Sequence, residues 1–194
     1  MRMHFNSLDV FLEFLTQYSK SPSFIMTGIR MCHTANISAP AGQKVTRQMQ
    51  HKDIIHTVIR YLHAWNDPLM HLALEAHRLT KLHDYFILKG RNLCVIHHEL
   101  KELIKEISRQ LDLEITDKVE YSSWSELPSL QSSDEKSLLF TFYKTLHCLV
   151  GDLWKIKSLL QLLKCQAFPD EDCKDVPFPS AFEMVSNSSS FGKV

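Results

Sequence analysis

Eleven histidines and five cysteines are the residues of this 194-residue chain best equipped for chemistry. Histidines bind metals or move protons, and cysteines supply nucleophiles, metal ligands or crosslinks. Their spacing supports little of this. His98-Glu99-Leu100-Lys101-Glu102 opens like the zinc motif His-Glu-x-x-His but lacks the second histidine. The Glu-x-x-His tetrapeptide of di-iron bundles does not occur. His97 and His98 are adjacent, so on a helix they point to different sides and chelate poorly. The same geometry keeps His147 from activating Cys148. Cys32, Cys94, Cys148, Cys165 and Cys173 contain no Cys-x-x-Cys, and each can be a buried reduced thiol or half of a crosslink. No catalytic, metal or cofactor constellation is expected.

The composition narrows the field further. Lys plus Arg equals Asp plus Glu at 22 each, which leaves no electrostatic footprint for nucleic acid or an anionic membrane. Five glycines are few for a turn-rich sheet protein or a phosphate-cradling loop. No apolar run reaches the roughly 18 residues of a membrane span. The length fits one domain with one core.

The elements that must position any site are helices. The longest pattern runs from Ser132 to Cys165. Leu139, Phe142, Leu146, Leu149, Leu153, Ile156, Leu160 and Leu163 recur at steps of three and four, which sets one apolar stripe on a helix. Ser132 and Glu135 have capping-box spacing at its start. A first helix is predicted over 4–31, with Phe11, Phe14, Leu15 and Tyr18 on one face and a kink at Pro22. A second carries Ile55, Val58, Leu62, Trp65, Leu69, Leu72 and Ala76, bent by Pro68. A third spans about 85–111 with Leu93, Ile96, Leu100, Ile104, Ile107 and Leu111. Residues 33–50 and 112–131 are long connections, whereas 77–84 is short. The second long connection carries Tyr121, Trp124, Leu127 and Leu130, so part of it is expected to lie on the bundle. Long links join parallel helices and short links join antiparallel ones. The fold class is therefore all-α, a four-helix up-up-down-down bundle with two long crossover connections. Residues 174–194 are rich in Ser, Pro and Phe without a period, and are expected to form a disordered tail outside the 1–173 domain.

Four motifs then carry a resemblance. Trp65-Asn66-Asp67-Pro68-Leu69, Trp124-Ser125-Glu126-Leu127-Pro128-Ser129-Leu130-Gln131, Leu146-His147-Cys148-Leu149 and Leu162-Leu163-Lys164-Cys165 resemble the prolactin/growth hormone family, most closely prolactin and its placental paralogues. Phe11-x-x-Phe14 and Cys32-His33-Thr34 extend the likeness, which covers about residues 4–173.

The resemblance implies disulfides Cys32–Cys148 and Cys165–Cys173, with Cys94 left over. On the chain-entropy account, the longer loop contributes about 4–5 kcal/mol. It also implies a secreted, monomeric hormone that inserts in no membrane and binds a class I cytokine receptor of the prolactin-receptor type, triggering JAK-STAT signalling in pregnancy, placental or mammary physiology. Asp9 and Glu13 interrupt any signal-peptide pattern, so the chain reads as a truncated or processed form. Sequons at Asn36 and Asn187 are glycosylation candidates.

In such hormones one receptor meets helices one and four with the first connection, and a second meets the groove between helices one and three. The resemblance makes His4, His147 and Lys155 receptor-facing. Other positions depart from the pattern. Val150 and Gly151 replace two arginines, Trp154 a histidine, Leu159 a tyrosine and Gln161 a lysine. Trp154 is then either a new hot spot or a residue packed on the first connection. Leu103 stands where prolactins carry glycine, and either obstructs the second receptor or turns into the core beside Leu100 and Ile107. A non-signalling relative, acting as a receptor blocker or on another partner, is the alternative function. A metal-dependent enzyme using the histidines is the alternative from another class.

Overall fold

A computed structural model describes residues 2–18, 32–37, 49–79, 84–113, 124–169 and 173. The tail, Asn187, Pro22, Tyr121 and the second half of the expected first helix lie outside them. The described elements are α1 (Arg2–Tyr18), α2 (His51–Ala64), α3 (Asn66–Glu75), a 3-10 turn (Ala76–Arg78), α4 (Asp84–Gln110), the short α5 (Leu127–Leu130) and α6 (Glu135–Ala167).

Contacts fix the directions. Along α1, His4 meets Trp154, Phe11 meets His147, and Phe14 meets Phe142, so α1 and α6 are antiparallel. Arg2–Glu99 and Asp9–Lys89 make α1 antiparallel to α4 as well. Leu62 meets His97 and Leu69 meets Cys94, while Trp65 meets Asp152 and the Met49 carbonyl meets Gln166. The α2–α3 unit therefore also runs against α4 and α6. The result is the expected up-up-down-down bundle. Trp65, Tyr61, Phe14 and Phe142 are the largest side chains fully enclosed in its core.

The second helix breaks earlier than expected, at Trp65 rather than Pro68. A proline lacks the N–H that would bond to the carbonyl four residues back, so the defect falls in the preceding turn. The cap of α6 also differs. Asp134, not Ser132, is the N-cap, and its carboxylate accepts from the Ser137 N–H at 2.9 Å. Ser132 instead turns its hydroxyl to the Asp134 N–H at 3.1 Å. The second connection does lie on the bundle. Leu130 is fully buried, Trp124 stacks on His71, and Glu126 pairs with Lys144 at 2.6 Å.

The apolar stripe of α6 holds from Leu139 to Ile156 and then rotates. Leu160 and Leu163 are half-buried, whereas Leu159 and Leu162 are buried. His4, in the first turn of α1, sits level with Trp154. Beyond that level the α2 side covers α6, as the Met49–Gln166 contact shows.

Disulfides join Cys32 to Cys148, 116 residues apart, and Cys165 to Cys173, 8 apart. Loop-closure entropy grows with the logarithm of loop length. Replacing Cys32 and Cys148 together by Ala is expected to lower stability by about 5 kcal/mol, against about 2.5 kcal/mol for Cys165 and Cys173. Urea unfolding of the two double variants tests the order.

Candidate functional site

The side of the bundle formed by α1, α6 and the start of the first connection holds most of the residues singled out from sequence. It is built around Asp152, which is 1% exposed. Its carboxylate accepts from Thr34 Oγ1 at 2.5 Å, from Trp65 Nε1 at 3.0 Å and from Lys155 Nζ at 2.9 Å. Thr34 belongs to the first connection, Trp65 to the break between α2 and α3, and Lys155 to α6. The charge is thus matched by one ammonium and two neutral donors, which a buried carboxylate requires.

Neighbouring groups extend this knot. Tyr61 donates its hydroxyl to the Ile37 carbonyl at 2.9 Å. The Lys155 ammonium lies 5.4 Å from the centre of the Tyr61 ring. Burial alone would lower the Lys155 pKa, but Asp152 and Tyr61 outweigh it and hold the pKa above its ordinary value. His33 places its ring edge-on to Trp65 at 4.7 Å. The turn around it is closed by Ala35 N–H to Cys32 O and Ile37 N–H to Thr34 O. Ile37 is buried while Asn36 is exposed, so the sequon asparagine faces solvent.

The outer edge of the same side is aromatic and basic. The Trp154 and His4 rings are 5.1 Å apart. Lys157 Nζ lies 4.8 Å from the Trp154 ring centre and 5.2 Å from that of Phe5, which is 55% exposed. Both distances suit cation–π attraction. His147 is half-buried between Phe11 and Tyr143, and burial lowers its pKa.

Three sequence expectations need correction here. His4 is buried, because it shares with Phe11 the side of α1 that meets α6. Its ring supports Trp154 from beneath, and burial followed by the Lys157 charge lowers its pKa. Val150 is buried at 3%, one turn from Leu146 and Trp154 on the side of α6 that α1 covers. Leu159 is buried at 1%, on the side that remains covered past α1. Neither can meet a partner directly. Gly151, Trp154, Lys155 and Gln161 are half-buried at the rim. Among the described residues, Trp154 packs on α1 through His4.

Leu103 stands apart on α4, 56% exposed, and does not turn into the core. Cys94 is half-buried and donates its S–H to the Leu69 carbonyl at 3.4 Å, and burial raises its pKa. Among the described residues, no group of three or more His, Cys, Asp or Glu could hold a metal, and no helix is long and apolar enough to cross a membrane.

The profile of the somatotropin hormone family matches residues 1–173. The chain belongs to the somatotropin hormone family. That membership makes it a hormone of the growth hormone/prolactin type, a four-helix cytokine fold and a signalling protein rather than an enzyme. Hormones of this family are secreted and bind class I cytokine receptors. Asp152, the residue on which this candidate site is built, was missed from sequence. An acidic residue within an apolar helix face, three before a lysine, was the available signal.

Asp152→Ala is expected to lower stability by about 3 kcal/mol, since it strands the buried Trp65 and Thr34 donors. Equilibrium urea unfolding measures this, and a loss under 1 kcal/mol would contradict the central place given to the carboxylate.

Proposed function

We propose that this hormone binds a class I cytokine receptor of the prolactin-receptor type through the α1–α6 side and activates JAK-STAT signalling in pregnancy, placental or mammary physiology. The observation that carries the reading is the Trp154–Lys157–Phe5 edge. It presents a half-buried indole, an exposed phenyl ring and an ammonium beside a polar knot that fixes the first connection. Large aromatic groups next to a cation are the composition of binding hot spots. Where prolactins carry basic groups at 150 and 151, this chain has Val150 and Gly151, so affinity rests on apolar contact more than on charge steering.

Surface plasmon resonance with the prolactin-receptor ectodomain tests the interface. Trp154→Ala and Lys157→Glu are each expected to weaken binding by tenfold or more, with Lys157→Glu lowering stability by no more than about 1 kcal/mol through its lost cation–π contacts. Wild-type binding that neither substitution weakens would place the interface elsewhere. No wild-type binding would exclude this receptor.

Leu103 favours a second reading, in which the hormone occupies one receptor and recruits no second. The exposed side chain stands on α4 one turn beyond Glu99, which pairs with Arg2 of α1 at 3.3 Å. Cells carrying only the prolactin receptor should then show little receptor phosphorylation with wild type and more with Leu103→Gly. Equal, strong responses would rule out this reading.

A further inference from the structure

Two histidines, His33 half-buried and His97 buried, meet at the break in the second helix, and the proposed receptor edge uses neither. Pro68 cannot donate to the Ala64 carbonyl, so that acceptor is left free of its usual helical partner. His33 Nε2 lies 3.0 Å from it and supplies the missing donor. Two residues earlier, the Leu62 carbonyl meets His97 Nε2 at 2.8 Å. Carbonyls two residues apart lie about 200° around a helix axis. The two imidazoles therefore hold the helix from roughly opposite sides, His33 from the first connection and His97 from α4. Trp65, at the break itself, lies edge-on to His33 and donates to Asp152. His97 is 5% exposed.

We infer that the α2–α3 junction is a pH-sensitive joint, held shut by neutral His33 and His97 and loosened when they take up protons in an acidified compartment such as a secretory or endocytic vesicle.

Each ring donates through Nε2–H, so its second nitrogen is the site where an added proton would create a charge inside the bundle. Around His97 the ionisable groups that act on it are Lys101 and His98 from its own helix and His63 from α2, and all three disfavour a further positive charge. Around His33 they are Asp152 and Lys144 of α6 and Glu126 before α5. Asp152 and Glu126 oppose the lowering at His33, so His97 is the more acid-resistant ring. Burial, the largest effect at both, lowers both pKa values, that of His97 from 6.5 to about 4. A pKa lowered on folding stabilises fully above the unfolded value and is lost as pH falls below it. The closed joint is therefore intact above about pH 6.5 and weakens toward about pH 4. By linkage, His97 alone shifts the closed-to-open ratio about 30-fold at pH 5.

Hydrogen exchange, corrected for intrinsic rate, and urea unfolding between pH 7.5 and 4.5 test the joint in the whole chain. Wild type should lose protection first over residues 60–72, with its unfolding midpoint falling below pH 6.5. His97→Gln keeps an N–H donor but cannot titrate, so the largest single part of that fall should vanish. His33→Gln should remove a smaller part, with buried His4 and half-buried His147 contributing to the remainder. An undiminished fall in both variants would overturn the inference. Should either variant fold poorly, the NMR titration of His97 in wild type decides. A value below 5 supports the joint, and one of 5 or above overturns it. None of these readouts involves the receptor, so the joint can fail while the receptor reading stands, or the reverse.

Discussion

Asp152 carries a charge into the interior of an otherwise apolar helix face, and that charge constrains everything around it. An ion removed from water loses several kcal/mol of hydration unless donors replace the solvent. Here the donors come from Thr34, Trp65 and Lys155, three separate stretches of chain. Satisfying the carboxylate therefore sets the register between the first connection, the break in the second helix and α6. The Cys32–Cys148 bridge lies one helical turn from Asp152 and locks the same connection to the same helix covalently. Polar and covalent restraints thus coincide at residues 32–34, where the described start of the first connection meets the bundle.

That anchoring explains how a rim with little charge can still be a defined surface. Lys155 turns inward to Asp152 and Tyr61, and Lys157 is drawn over two aromatic rings. Both ammonium groups are oriented before any partner arrives, which reduces the side-chain entropy lost on association. His4 and Val150, buried beneath the rim, shape it without belonging to it.

The helices were legible because each carries a long apolar period. Directions were legible from connection lengths alone. Finer features were not. A stripe read at steps of three and four assumes one covered side, yet α6 is covered by α1, α2 and α5 in different places. Hence Leu159 and Val150 were mistaken for surface, and Leu160 and Leu163 for full core. The break moved to Trp65 because a proline's defect is felt at the carbonyl it fails to meet. Asp152 and His97 were invisible as interior groups. Charged and imidazole side chains are ordinarily at the surface, and their burial depends on partners 118 to 35 residues away. The disulfides were legible only through the likeness of whole motifs, since five cysteines leave several pairings open.

Helix direction has a further consequence, for folding kinetics. In an up-down-up-down bundle each helix packs on its neighbour in sequence, and the chain can zip together locally. Here α1 packs on α4 and α6 instead, through pairs such as Arg2–Glu99, 97 residues apart. Among the described helices longer than one turn, the α2–α3 unit and α4 form the local hairpin. Loop-closure entropy must be met before α1 gains its contacts with α4 and α6. The bundle is thus helical in composition but non-local in topology. Non-local pairing of the first helix is expected to slow folding relative to a bundle whose helices pack on their neighbours in sequence.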